Sequence, residues 1–165
     1  AAAGARTTVK RNFALILGYA GTRFQGLQMA QEGTLTIEGV VHNALHEAGA
    51  ISNDNAGDRR KVKWSSASRT DKGVHAVACV CSSKLVIDRD VDAALEKFGE
   101  LPQAIVDGWN KRLPEDIRVL SAVRWGKNTK AHDKCNLREY EYLLPESALS
   151  GKTVEDLQAL LGMFE

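Results

Sequence analysis

The spacing of apolar positions changes several times along the chain, and each change marks an element. "NFALILGYAG" (12–21) is a nearly unbroken apolar run closed by glycine, which predicts a buried strand. A Gly-bounded loop, "GTRFQGLQ" (21–28), follows and carries Arg23, Phe24 and Gln25. From Thr36 the period becomes helical: Ile37, Val40, Val41, Ala44, Leu45 and Ala48 share a face, and Gly49 supplies a stop. "ISNDNAGDRRK" (51–61) is polar and turn-rich, hence a surface loop. "VKWSSAS" (62–68) and "AVACVCSSKLVI" (76–87) read as two strands.

Asp88 or Asp90 can then cap a helix over roughly 91–110, with Val91, Ala94, Leu95 and Phe98 as its apolar side. Pro102 interrupts that helix and leaves a second, short one behind it. "DIRVLSAVRW" (116–125) and "REYEYLLP" (138–145) read as strands, the second with Tyr140, Tyr142 and Leu144 on one face. "TVEDLQALLGMF" starts a last helix with Thr153 as N-cap. The order β-α-β-β-α-β, then β-α, predicts an α+β fold of the ferredoxin-like kind, an antiparallel sheet with helices on one face. The chain has 165 residues, enough for one domain with a real core.

Composition narrows the function. A formal net charge of +1 does not announce nucleic acid, so a basic face must be local. Such clusters exist: "DRRKVK" (58–63), and "RWGKNTKAHDKCNLR" (124–138), where five basic residues face one acid. They flank Trp64, Trp125, Tyr140 and Tyr142, a pairing that suits RNA because phosphates bind cations and unstacked bases stack on rings. A solvated charged face is the plainer alternative. No run of about 18 apolar residues is present, so no membrane helix is expected. Three cysteines do not make a disulfide framework. Cys79 and Cys81 share a strand face and read as buried thiols, since Cys135 alone does not complete a zinc set. His42 and His46 lie four apart but lack H-E-x-x-H, so a solvated helix edge is the simpler reading and no metal is expected. The first acid is Glu32, and residues 1–11 read as a basic tail or the remnant of a transit peptide, which keeps an organellar origin open.

The densest chemistry is in "SSASRTDKGVHAVACV" (65–80), where Arg69, Thr70, Asp71, Lys72, Gly73 and His75 sit between two strand-like runs. Gly73 provides a backbone angle that other residues resist, and the loop can then present one carboxylate at a fixed angle. Arg69 and Lys72 beside it favour the ionised form. Such a carboxylate serves as nucleophile, base or metal ligand. An Asp-Gly-type turn with a solvated ion pair fits the same spacing, and His75 fits a loop-supporting role as well as a base.

Four blocks in order, "LGYAGTRFQGLQ", "SRTDKGVHA", "NKRLPEDIRVLSAVRW" and "AHDKCNLREYEYLLP", resemble the TruA-type family of tRNA pseudouridine synthases, in its eukaryotic branch that modifies nuclear and mitochondrial tRNA. The resemblance covers about residues 12–165 and implies the N-terminal, ferredoxin-like or RRM-like half of the pseudouridine synthase fold, behind a tail at 1–11. It implies that Asp71 is the catalytic aspartate, that Arg69 and Thr70 hold its loop and help evict the target uridine, and that Tyr140 stacks on the target base. Arg23, Phe24, Gln25, Lys72, Lys130, Lys134 and Arg138 are the implied RNA contacts. The implied reaction turns uridine into pseudouridine without a cofactor, in tRNA first and rRNA second. A homodimer or a ribonucleoprotein assembly is compatible. Two features depart from the family pattern: Thr129 stands where an aromatic is expected, and the second half, with an arginine for the aspartate, has no counterpart here. A catalytically silent RNA-binding or assembly factor is the alternative expectation.

Overall fold

The computed structural model describes residues 7–30, 33–143, 145, 147 and 151–161. Residues up to 135 form one compact unit and 136–165 a second. The first unit is built on a four-stranded antiparallel sheet. Its strands are β1 (Thr8–Tyr19), β2 (Ser65–Ser66), β3 (Ala76–Asp88) and β4 (Ile117–Trp125), in the order β2-β3-β1-β4. β1 lies in the middle, paired from Thr8↔Asp88 to Tyr19↔Ala76 with β3 and from Asn12↔Trp125 to Tyr19↔Ile117 with β4. It starts four residues before the expected boundary at Asn12, so residues 8–11 are strand rather than tail; residues 1–6 lie outside the described residues.

Alternation along β1 explains which face is covered. Phe13, Leu15 and Leu17 point to one side and are fully buried with Cys81, Leu85, Ile117 and Val119 from the neighbouring strands. They pack against Ile37, Val41, Ala44 and Leu45 of α1 (Ile37–Glu47) and Val106 and Trp109 of α3 (Gln103–Asn110). On the sheet's other side Val77 is 91% exposed and Leu120 about half exposed. That side is partly crossed by residues 126–131. Asn12 Nδ2 donates to Gly126 O (2.8 Å) and Thr129 O (2.9 Å), and Ala131 N donates to Ser82 Oγ (3.0 Å). The short α4 (Ala131–Lys134) therefore lies on the face that α1 and α3 leave uncovered.

Local chemistry fixes the helix ends. Thr36 Oγ1 accepts from Gly39 N at the start of α1. Its end is a Schellman motif: Gly49 has φ +77, Gly49 N donates to His46 O, and Ala50 N donates to Leu45 O. The expected break and second short helix are present, as α2 (Arg89–Ala94, capped by the Asp88 side chain) and α3, but the first helix already ends at Ala94, well before Pro102. The reason for the gap is the sheet edge. Leu101 N donates to Ala122 O, and Arg124 N donates to Gly99 O, so residues 99–101 pair with β4 instead of continuing a helix. Asn110 locks α3 to the same strand, its side chain donating to Val119 O and accepting from Val119 N, both at 2.8 Å.

In the second unit α5 (Val154–Leu161) begins with a reciprocal capping box: Asp156 N donates to Thr153 Oγ1, and Thr153 N donates to Asp156 Oδ2. The strand expected at 138–145 is not one: residues 136–143 have no strand pairing among the described residues. Tyr140, Tyr142 and Leu143 are exposed, so the alternation buries no apolar face among the described residues. Leu144 lies outside the described residues. No helix among the described residues is long and apolar enough to cross a membrane.

Candidate active site

β2 and β3 are joined by the polar turn, and its shape follows from glycine. Val74 N donates to Asp71 O (3.2 Å), and Gly73 takes φ +82, the left-handed angle that the third position of such a turn requires. Asp71 sits at the head of that turn, exposed, with its carboxylate in no hydrogen bond or ion pair among the described residues. The solvated ion pair of the plainer reading is not formed between Asp71 and Arg69 or Lys72. Arg69 instead lines a cleft with Ser65, Ser66, Gln28 and Lys130, while Lys72 is exposed on the turn's tip.

The turn is held by main chain. Leu27 N donates to Thr70 O (3.0 Å) and Gly73 N to Phe24 O (3.3 Å), which sews residues 70–73 to the loop 24–27. Two glycines permit this approach. A Cβ on Gly21 would lie 1.9 Å from Val74 O, and one on Gly26 would lie 2.9 Å from Thr70 O. Gly26 also has φ +102. From β1, Tyr19 Oη pairs with Thr70 Oγ1 at 2.8 Å. Burial pushes the Tyr19 phenol above its ordinary value, with the Thr70 hydrogen bond opposing, so it stays protonated.

A buried carboxylate braces the strand entering the turn. Glu38, in the first turn of α1, is 3% exposed. It accepts from Met29 N (2.9 Å), Arg59 Nη1 (3.2 Å) and Ser66 Oγ. Gln28, with its amide oxygen turned toward the guanidinium, accepts from the same Arg59 at 2.7–3.0 Å. One carboxylate thus ties together α1, the 24–30 loop, the 51–64 loop and β2. The cleft beside it holds about 580 Å³ and brings together Arg59, Lys63, Arg69 and Lys130.

Of the expected RNA contacts, Phe24 requires correction. It is 1% exposed and belongs to the core, because its carbonyl must reach Gly73 while its ring fills the space under the loop. Arg23 is exposed and paired with Asp116, with its guanidinium carbon 5.8 Å from the centre of the Phe24 ring. Gln25, Lys130 and Lys134 are exposed. Tyr140, 63% exposed, and Arg138 belong to the second unit. His75 is exposed beside the turn. His42 is not on a solvated edge: it is 1% exposed, and both ring nitrogens are buried without a partner among the described residues. Cys79 and Cys81 are buried free thiols, and among the described residues no group of three or more His, Cys, Asp or Glu could hold a metal. The residues missed by sequence reasoning are Tyr19, Gly21, Gly26, Glu38 and Arg59. Only the two glycines left a signal, as the brackets of a short loop.

The turn thus presents an exposed aspartate on a main-chain scaffold, and Arg69, two positions before it, lines a cleft with Arg59, Lys63 and Lys130. Known proteins resemble the chain over most of its length. The chain is 41% identical over 142 residues to tRNA pseudouridine synthase 1 of Saccharomyces cerevisiae, covering 86% of this chain and 24% of that protein. It is 39% identical over 136 residues to the protein of the same name in Yarrowia lipolytica (82% of this chain, 23% of that protein). To the tRNA pseudouridine(27/28) synthase of Saccharomyces cerevisiae it is 35% identical over 137 residues (83% and 33%). No family model matches the chain. Over most of its own length the chain is a homologue of proteins named tRNA pseudouridine synthase, and it spans about a quarter of the length of most of these relatives.

Proposed function

We propose that the protein of which this chain is part isomerises uridine to pseudouridine in tRNA, with Asp71 as the reacting carboxylate. The observation that carries this reading is the Asp71 turn: an exposed carboxylate with no partner among the described residues, on a main-chain scaffold anchored at Thr70 and Gly73. Such a group attacks the ribose or takes a proton from it. The bond from C1′ to N1 breaks, the uracil turns, C5 bonds to C1′, C5 loses its proton and N1 gains one, so no atom enters or leaves overall. The base must first leave its stack, at a few kcal/mol. In this reading Arg69 and Thr70 occupy the vacated space and Tyr140 stacks on the flipped base, offsetting about 1–3 kcal/mol. Arg23, Gln25, Lys72, Lys130, Lys134 and Arg138 contact the RNA backbone. The strand order β2-β3-β1-β4 with two helices on one face fits the ferredoxin-like half of the pseudouridine synthase fold. The enzyme names of the relatives favour this over a silent assembly factor.

The test incubates the full-length protein with unmodified tRNA transcript and maps pseudouridine by carbodiimide adducts that stop reverse transcription. Stops at defined uridines are expected. A transcript that stays unmodified at saturating protein refutes the proposal.

A further inference from the structure

The second basic feature of the sequence, around Arg124–Lys127, is gathered at the end of the sheet remote from the turn. A cleft of about 340 Å³ is lined there by Lys10, Lys84, Lys127, Arg124 and Trp125, and no carboxylate lines it. Register explains the gathering. Asn12 pairs with both Lys84 and Trp125, and Lys10 lies two residues earlier on the same face of β1. Lys63, which lines the cleft beside Glu38, also comes near Lys84, because Lys84 N donates to Val62 O (2.7 Å). Arg124 is committed to Asp92 (3.2 Å), but Lys10, Lys84 and Lys127 have no carboxylate partner among the described residues. Burial and then its neighbours Lys63, Lys127 and Lys10 hold the Lys84 ammonium below its ordinary value. Lys10, Lys84 and Lys127 thus form a local positive charge that no carboxylate lining the cleft neutralises, on a chain of net charge +1.

We infer that this lysine cleft is a second RNA contact, binding backbone phosphates far from the target uridine, with Trp125 as an apolar wall for sugar or base. The inference rests on the RNA substrate proposed above and specifies its class. β1 runs from Lys10 at the cleft to Tyr19 at the Thr70 anchor, nine residues or about 30 Å. A stacked strand places phosphates about 3.4 Å apart, so about nine nucleotides separate the two contacts. The substrate is therefore an extended or folded RNA, and a pentanucleotide carrying the target uridine cannot reach both.

The test compares full-length wild type with the triple variant Lys10→Gln, Lys84→Gln, Lys127→Gln. Binding to a folded tRNA transcript and to a uridine-containing pentanucleotide is measured across a salt series. The variant is expected to bind tRNA 10- to 100-fold more weakly, with a salt slope shallower by about 2–3 for three lost phosphate contacts. Its pentanucleotide affinity should match wild type, and the corresponding Lys→Arg variant should restore tRNA binding. An unchanged tRNA slope overturns the inference, and so does an equal loss for both RNAs. Loss of binding to phosphatidylserine vesicles with unchanged tRNA binding also overturns it. A wild type that binds tRNA with the expected slope but forms no pseudouridine refutes the proposed reaction and leaves the phosphate contact standing.

Discussion

Gly21→Ala changes one hydrogen to a methyl and should disable the site without touching Asp71. Gly21 has an ordinary backbone angle, so space alone decides the outcome. The added Cβ would sit 1.9 Å from Val74 O, 2.7 Å from Val74 C and 3.1 Å from Gly73 C. Carbon and carbonyl oxygen pack no closer than about 3.3 Å, so the 73–74 backbone must retreat by about 1.4 Å. Val74 N closes the turn on Asp71 O, so the carboxylate moves with it. A displacement of about 1 Å in a reacting group costs about 100-fold in rate, and overpacking costs about 1–3 kcal/mol of stability. The assay is single-turnover pseudouridine formation by the full-length protein at saturating tRNA, with a thermal melt to count folded protein. Gly108→Ala is the control: it lies in α3 with nothing within 4 Å of a new Cβ, and should leave the rate unchanged while adding up to about 1 kcal/mol. A Gly21→Ala protein that is folded and within threefold of wild type would refute the reasoning.

Two further substitutions test the support of the turn and the core. Glu38→Ala leaves Ser66 Oγ, Met29 N and Arg59 without their shared acceptor, and should cost about 2–3 kcal/mol in urea unfolding; Glu38→Gln, which keeps one acceptor oxygen, should cost less. Burial, reinforced by His46, holds His42 below its ordinary value, so it is neutral in the fold. The unfolded chain takes up the proton near pH 6.5, so this contribution is complete above about 6.5. It is lost as pH falls toward the folded value, by at most about 1.4 kcal/mol per pH unit. His42→Leu should flatten stability between pH 6.5 and 5; an unchanged slope would show that another group carries it.

The sequence reveals elements where one local rule decides. Thr36, Gly49, Asp88 and Thr153 mark helix ends because capping depends on neighbours within four residues. Gly73 marks the turn for the same reason. What stays hidden depends on residues far apart in the chain. Glu38 reads as an ordinary acid at a helix start, and only the fold delivers Arg59 and Ser66 to it. Phe24 is implied as an RNA contact by the resemblance of its loop, yet the ring is core. His42 looks like a helix-edge histidine because nothing local says that the fold buries it. The alternation in "REYEYLLP" promises a strand, but residues 136–143 are not strand, and Tyr140, Tyr142 and Leu143 are exposed. The lysine cleft was visible only in part: "RWGKNTK" supplies Arg124 and Lys127, while Lys10 and Lys84 come from other strands.

The central claim is that Asp71 does the chemistry and little of the binding. Asp71→Asn in the full-length protein tests it, with tRNA affinity and single-turnover pseudouridine formation measured on the same preparation. The expected result is affinity within about threefold of wild type, because an exposed residue unpaired with its neighbours leaves no buried group stranded. Pseudouridine should fall by at least about a thousandfold, an amount that removing a reacting group readily reaches. Pseudouridine formation at the wild-type rate would contradict the account.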